Sequence, residues 1–225
     1  EQRREQLMAF AIARFAEHGY HTTSVAEIVE GIGVGKGVFY WYFDSKEALL
    51  HQILKDAQTD LRRRQQAAIG DEVDPLLRIE LGIRASLAWS AGHRDLITLV
   101  QFAETEARFA EALRRGEEIA VADTVRHLKD AIVEGRIPDR DPEVLALAVL
   151  GVIGQLARTF VHERAEPTVE VGNGREPHVL GGLCGQCGTP AAGTEKDEPV
   201  AGGEVVLVVV LRRVERLERD DLRDD

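Results

Sequence analysis

Apolar residues return every three to four positions along the first two thirds of the chain, a spacing that predicts helices. Leu7, Ala11 and Phe15 repeat at four-residue intervals, so residues 2–18 are expected to be helical. Gly19 follows, and glycine readily takes the left-handed conformation that ends a helix. Ser24 has Glu27 three residues on, the pattern of a capping box. It opens a short second helix with Val25, Ile28, Val29 and Ile32 as its apolar stripe. Gly31 and Gly33 end it, and Gly33 supplies the positive φ that a tight turn needs. A third short helix is expected over residues 35–41. A fourth starts at Asp44 or Ser45 and carries Leu49, Leu50, Ile53, Leu54, Ala57 and Leu61.

The same periodicity continues. Asp74-Pro75 puts a proline in a first helical turn, and Gly92 stops that helix. Further helices are expected over 95–109, over 117–134 and from Asp141-Pro142 to about residue 162. The last of these is apolar around most of its circumference, which marks a buried or interfacial helix. Ala148, Gly151 and Gly154 would let a second helix approach it closely, so it is the candidate dimer interface. The fold class is therefore all-α. No apolar run in the sequence approaches the length of a membrane span, and no membrane partner is expected.

At about Thr168 the pattern stops. Residues 171–203 hold nine of the 21 glycines together with Pro177, Pro190 and Pro199. Such a stretch buries too little apolar surface to offset its chain entropy, so residues 169–225 read as an atypical, poorly ordered tail. It contains both cysteines, Cys184 and Cys187. Two cysteines make no disulfide framework, which favours a reducing cytoplasm. They form a lone CxxC without a second pair at metal-binding spacing. A redox- or metal-responsive role for them is the weaker alternative.

The net charge of −11 at first speaks against nucleic acid. Its distribution changes that picture. Residues 1–64 hold nine Lys or Arg and nine Asp or Glu, so the remaining 19 basic and 30 acidic residues carry the whole excess. A neutral head on an acidic body can still turn one positive face to phosphates.

Residues 22–50 carry the functional signal: TTSVAEIVEGIGVGKGVFYWYFDSKEALL. Two short helices flank a glycine turn, and a capped support helix follows. Gly35 and Gly37 let backbone amides approach a phosphate closely, with Lys36 adding a cation. Phe39 and Phe43 are spaced to point inward, while Tyr40, Trp41 and Tyr42 stay near the surface. This stretch resembles the DNA-binding domain of the tetracycline-repressor (TetR) family of regulators. The resemblance rests on Thr23, Ser24, Ile28, Gly33, Val34, Lys36, Gly37, Tyr40, Tyr42, Phe43, Ser45, Lys46, Glu47 and Leu49, with Phe15 to Tyr20 matching the preceding segment. Two positions depart from the family pattern: Gly35 stands where a capping side chain is usual, and Val38 where a small or hydroxyl residue is usual.

The resemblance implies an organisation and a set of roles. Residues 1–55 would be the three-helix helix-turn-helix domain, and 56–168 a helical ligand-binding and dimerisation domain. Thr23 and Ser24 would meet phosphate. Lys36, Val38 and Trp41 would face the major groove, with Tyr40, Tyr42 and Lys46 on the DNA backbone. A single short helix buries little, so a homodimer on a palindromic operator is implied. The last two helices of each relative form a four-helix bundle between subunits. Here the second is not evident; either residues 203–217 replace it, or the tail is aberrant, as translation out of frame after about Glu170 would make it. The implied effector pocket draws on Trp89, Gln101, Phe102, Phe109, Gln155 and Arg158, which suit an apolar or aromatic small molecule. No Ser/His/Asp, paired-carboxylate or His/Cys arrangement appears, so no catalytic residue, metal or cofactor is expected, and neither an enzyme nor a non-regulatory helical dimer is the preferred reading.

Overall fold

A computed structural model describes residues 2–159; the tail from 169 onward, with Cys184 and Cys187, lies outside the described residues. Among those residues the elements are α1 (Gln2–His18), α2 (Val25–Gly31), α3 (Lys36–Tyr42), α4 (Lys46–Ile69), α5 (Pro75–Gly92), α6 (Arg94–Glu104), a 3-10 turn (Ala107–Phe109), α7 (Ala110–Val133) and α8 (Pro142–Leu156). The described residues contain no strand, as an all-α chain requires.

They group into two compact units. Among the described residues the first comprises 2–62 and 93–119, and the second 63–92 and 120–159. The core of the first is built from Leu7, Ala11 and Phe15 of α1, Ile28 and Val29 of α2, Phe39 of α3 and Leu49, Leu50, Ile53 and Leu54 of α4. Leu99 and Ala103 of α6 and Phe109 belong to the same core. The second unit packs Ile79 and Ile83 of α5 with Leu128 and Ala131 of α7, Ile137, and Leu145, Ala146, Val149 and Leu156 of α8.

Local chemistry sets the helix ends. Asp74 accepts hydrogen bonds from the N–H groups of Leu76 (2.9 Å) and Leu77 (3.3 Å), with Pro75 in the first turn of α5. Asp141 accepts from Glu143 (2.9 Å) at the start of α8. At the end of α7, Gly135 sits at φ +67°, and the Arg136 N–H reaches back to the Ala131 carbonyl (2.9 Å). This six-to-one bond closes the orphan carbonyls of the last turn.

Two expectations need correction. The helix expected over 95–109 ends at Glu104, and the one expected from 117 begins at Ala110. The Thr105 hydroxyl donates to the Phe102 carbonyl (2.7 Å), and the Thr105 and Glu106 N–H groups turn back to Phe102 and Ala103. The resulting corner brings Phe109 into the core. Gly116 is then a packing residue inside α7, not a helix end. A Cβ there would fall 2.2 Å from the Gln58 amide nitrogen, so the end of the Gln58 side chain would have to swing aside for any larger residue. The second correction concerns Pro142–Thr159, which is long and apolar enough to cross a bilayer by length and composition. Leu145, Ala146, Val149 and Leu156 of this stretch pack in the core of their unit, so one face of the helix is covered within the described residues.

Candidate nucleic-acid interface

The α2–α3 hairpin is built by caps and one glycine. Ser24 is the N-cap of α2: its hydroxyl accepts from the Glu27 N–H (3.2 Å), and the Glu27 carboxylate accepts from the Ser24 N–H (2.7 Å). That backbone donor, with the Ser24 side chain second, holds the Glu27 carboxyl below the ordinary glutamate range. Gly33 sits at φ +70°, where the Val34 N–H reaches the Val29 carbonyl (2.9 Å) and the Gly33 N–H reaches Glu30 (3.0 Å). Gly31 serves a different purpose from helix ending alone: a Cβ there would lie 1.9 Å from the Phe10 ring.

Replacing Ser24 by Ala is expected to cost about 1 kcal/mol in urea unfolding. The lowered folded pKa of Glu27 also fixes a sign. Its contribution is present above the ordinary carboxylate range and is lost as pH falls through the depressed value. The stability difference between the natural chain and Glu27→Gln should therefore be present at neutral pH and shrink in acid. A difference independent of pH would refute this.

Helix α3 presents two faces. Phe39 is fully buried, and Phe43, just after the helix, is nearly so, their ring centroids 5.8 Å apart. On the other side Tyr40 is 54% and Trp41 83% exposed. Lys36 and Gly37 are exposed, and Val38 and Tyr42 half-buried. Gly35 is the N-cap without a side-chain hydrogen bond, and added Cβ atoms at Gly35 or Gly37 would meet nothing within 4 Å. The start of α3 is thus open.

For two residues the placement differs from the expectation. Thr23 is buried, and its hydroxyl donates to the Gly19 carbonyl (2.9 Å), so it locks the turn after α1. Lys46 is half-buried and turned onto the chain itself: its Nζ donates to the carbonyls of Tyr20 (2.7 Å) and Thr23 (2.7 Å), with His21 at 3.5 Å, and stands 4.4 Å from the centre of the Tyr20 ring. Burial, followed by repulsion from Arg108, pushes its pKa below the ordinary lysine value. Ser45 caps α4, accepting from the Ala48 N–H (3.0 Å). Arg4, adjacent to Arg3 at the N-terminus, pairs with Asp56 (3.3 Å) and ties α1 to α4.

The six pocket candidates do not form one cluster within either unit. Gln101, Phe102 and Phe109 belong to the first, and Phe102 and Phe109 pack with the Tyr20 ring at 5.1 and 6.0 Å. Trp89, Gln155 and Arg158 belong to the second; Trp89 is buried, while Gln155 is exposed and donates to Thr159 (3.0 Å). On α8, Val144 and Leu147 are exposed together with Gly151 and Gly154, and Ala148 is half-buried. Sequence reasoning missed Glu106 and Arg108, which stand against Tyr20 and His21 in the first unit.

Two short helices crossing at a glycine turn, the second with an apolar inner face and an aromatic outer one, are a helix-turn-helix. Residues 7–53 match the profile of the family described as bacterial regulatory proteins, tetR family. The HTH-type transcriptional repressor KstR2 of Mycobacterium tuberculosis is 30% identical over 99 residues, covering 44% of this chain and 50% of that one. The chain thus spans about half the length of that relative. The fatty acid metabolism regulator protein of Bacillus subtilis is 25% identical over 162 residues, covering 69% of this chain and 82% of its own. Among solved structures, the transcriptional regulator FadR of Bacillus subtilis in complex with stearoyl-CoA superposes with a TM-score of 0.67 at 20% identity, covering 92% and 97% of the two chains.

Proposed function

We propose that this chain is a cytoplasmic transcription regulator that binds double-stranded DNA as a homodimer and leaves a palindromic operator when a small molecule binds. The observation that carries the reading is α3, anchored by Phe39 and showing Lys36, Tyr40 and Trp41 outward. Lys36, Val38 and Trp41 face the major groove in this reading. Tyr40, Tyr42, Gly37 and Ser24 meet the sugar-phosphate backbone. Phosphate contacts set register, and base edges set sequence.

Two heads must sit about one helical turn apart, roughly 34–36 Å, to read a palindrome. The exposed Val144, Leu147, Gly151 and Gly154 on α8 support a dimer contact there. The names of the relatives support an effector with a long apolar chain, such as an acyl thioester, and a helical body rich in apolar residues suits it. Coupling of effector and DNA by about 1–3 kcal/mol would give the release.

Selection of duplexes from a random library tests the reading. The expected result is an enriched palindrome, bound by a dimer and weakened by Lys36→Ala and by Tyr40→Ala. Selection without an enriched palindrome, or unchanged affinity in both variants, would refute it.

A further inference from the structure

Away from the outer face of α3, the first unit gathers charges and rings from three separate stretches of chain. Tyr20 and His21 stand in the turn after α1, Lys46 and Glu47 start α4, and Phe102, Glu106, Arg108 and Phe109 surround the corner between α6 and α7. One carboxylate joins them. Its Oε1 is 2.8 Å from the His21 ring Nε2, and its Oε2 accepts from Arg108 (2.9 Å). Arg108 also lies 3.6 Å from the Glu47 carboxylate and 5.2 Å from the centre of the Tyr20 ring. The Tyr20 ring stacks on Phe102 and meets Phe109 edge-on.

Exposed ion pairs add little to stability, and His21 is well exposed. The value of the cluster is therefore in position. The turn that it holds leads directly into Ser24, whose capping box sets the start of α2 and, through Gly33, the attitude of α3. Lys46 grips the same turn by its carbonyls from the α4 side. The turn is thus held from the α4 side by Lys46 and from the remote α6–α7 corner, where Glu106 takes His21 and Phe102, Phe109 and Arg108 meet Tyr20.

We infer that the α6–α7 corner is a latch on the helix-turn-helix: Glu106, braced by Arg108, holds His21 and thereby sets how α2 and α3 are presented. Glu106 and Arg108 are positioning residues, since neither lies on α2 or α3. Displacing the corner releases the turn and lowers DNA affinity without altering a DNA contact. The DNA readout rests on the proposed function; the latch itself has a second readout in the free protein.

The test uses the full chain with Glu106→Gln, His21→Gln, the double variant and Arg108→Lys, on a duplex enriched by the natural chain. Each single glutamine variant should bind roughly 3-fold to 10-fold more weakly. The double variant should be no weaker than either, because both break one link. The slope of affinity against salt should not change, since no phosphate contact is lost. Arg108→Lys keeps the charge and should retain part of the affinity. In the free protein, amide exchange at residues 20–24 should quicken in Glu106→Gln while the thermal midpoint barely moves. Natural exchange rates there in Glu106→Gln, or additive losses in the double variant, would overturn the latch. If the natural chain enriches no duplex, the proposed function fails and the exchange measurement alone decides the latch.

Discussion

Phe39→Ala is expected to lose about 3–5 kcal/mol of stability, the usual cost of emptying a fully buried phenylalanine site. Phe39 is 0% exposed and is the one side chain that α3 itself sinks completely into the core. A seven-residue helix has almost no stability of its own, so its place depends on that anchor and on Phe43. Domains are stable by only about 5–15 kcal/mol in total. The variant should therefore unfold at markedly lower urea and bind duplex weakly even where it remains folded. Trp41→Ala is the control. Trp41 is larger but 83% exposed, and its removal should change stability by no more than about 0.5 kcal/mol while weakening DNA binding. Equal stability losses for the two variants would contradict the two-faced helix.

Lys46→Met has the second large effect, expected at about 2–4 kcal/mol, because it strips donors from two close carbonyls in a partly buried turn. Lys46→Arg should recover little. A compact ammonium suits carbonyls that converge on one point, whereas a planar guanidinium directs its donors in a fork. DNA binding separates this role from a phosphate contact. Losing a phosphate contact lowers the salt slope by about one. Lys46→Met should leave the slope unchanged in the fraction that is folded. A lowered slope in Lys46→Met would return that residue to the DNA surface.

The helix-turn-helix was legible in the sequence because its determinants are local. A capping box spans three residues, a positive-φ turn needs one glycine, and Phe39 and Phe43 are one helical turn apart. All of these appear as expected at Ser24, Gly33 and α3. The roles of Thr23 and Lys46 were not legible, because a hydroxyl or an ammonium beside a DNA-binding helix looks the same whether it meets a phosphate or a backbone carbonyl. The corner at Thr105 was also hidden. Gly116 carries the stronger local breaking signal, yet its partner Gln58 is far away along the chain. The pairing of His21 with Glu106 spans 85 positions, with no motif to announce it.

Residues 93–119 belong with the first 62, and this limits how the protein can be dissected. A fragment cut after α4 would retain all of the helix-turn-helix sequence. It would lack Leu99, Ala103 and Phe109, leaving Tyr20 and its neighbours bare to water, and each large apolar side chain so uncovered forfeits roughly 1.5–3 kcal/mol. The smallest autonomous unit carrying the helix-turn-helix is therefore discontinuous in the sequence. Grafting it onto another protein would require carrying α6 and the corner along with it.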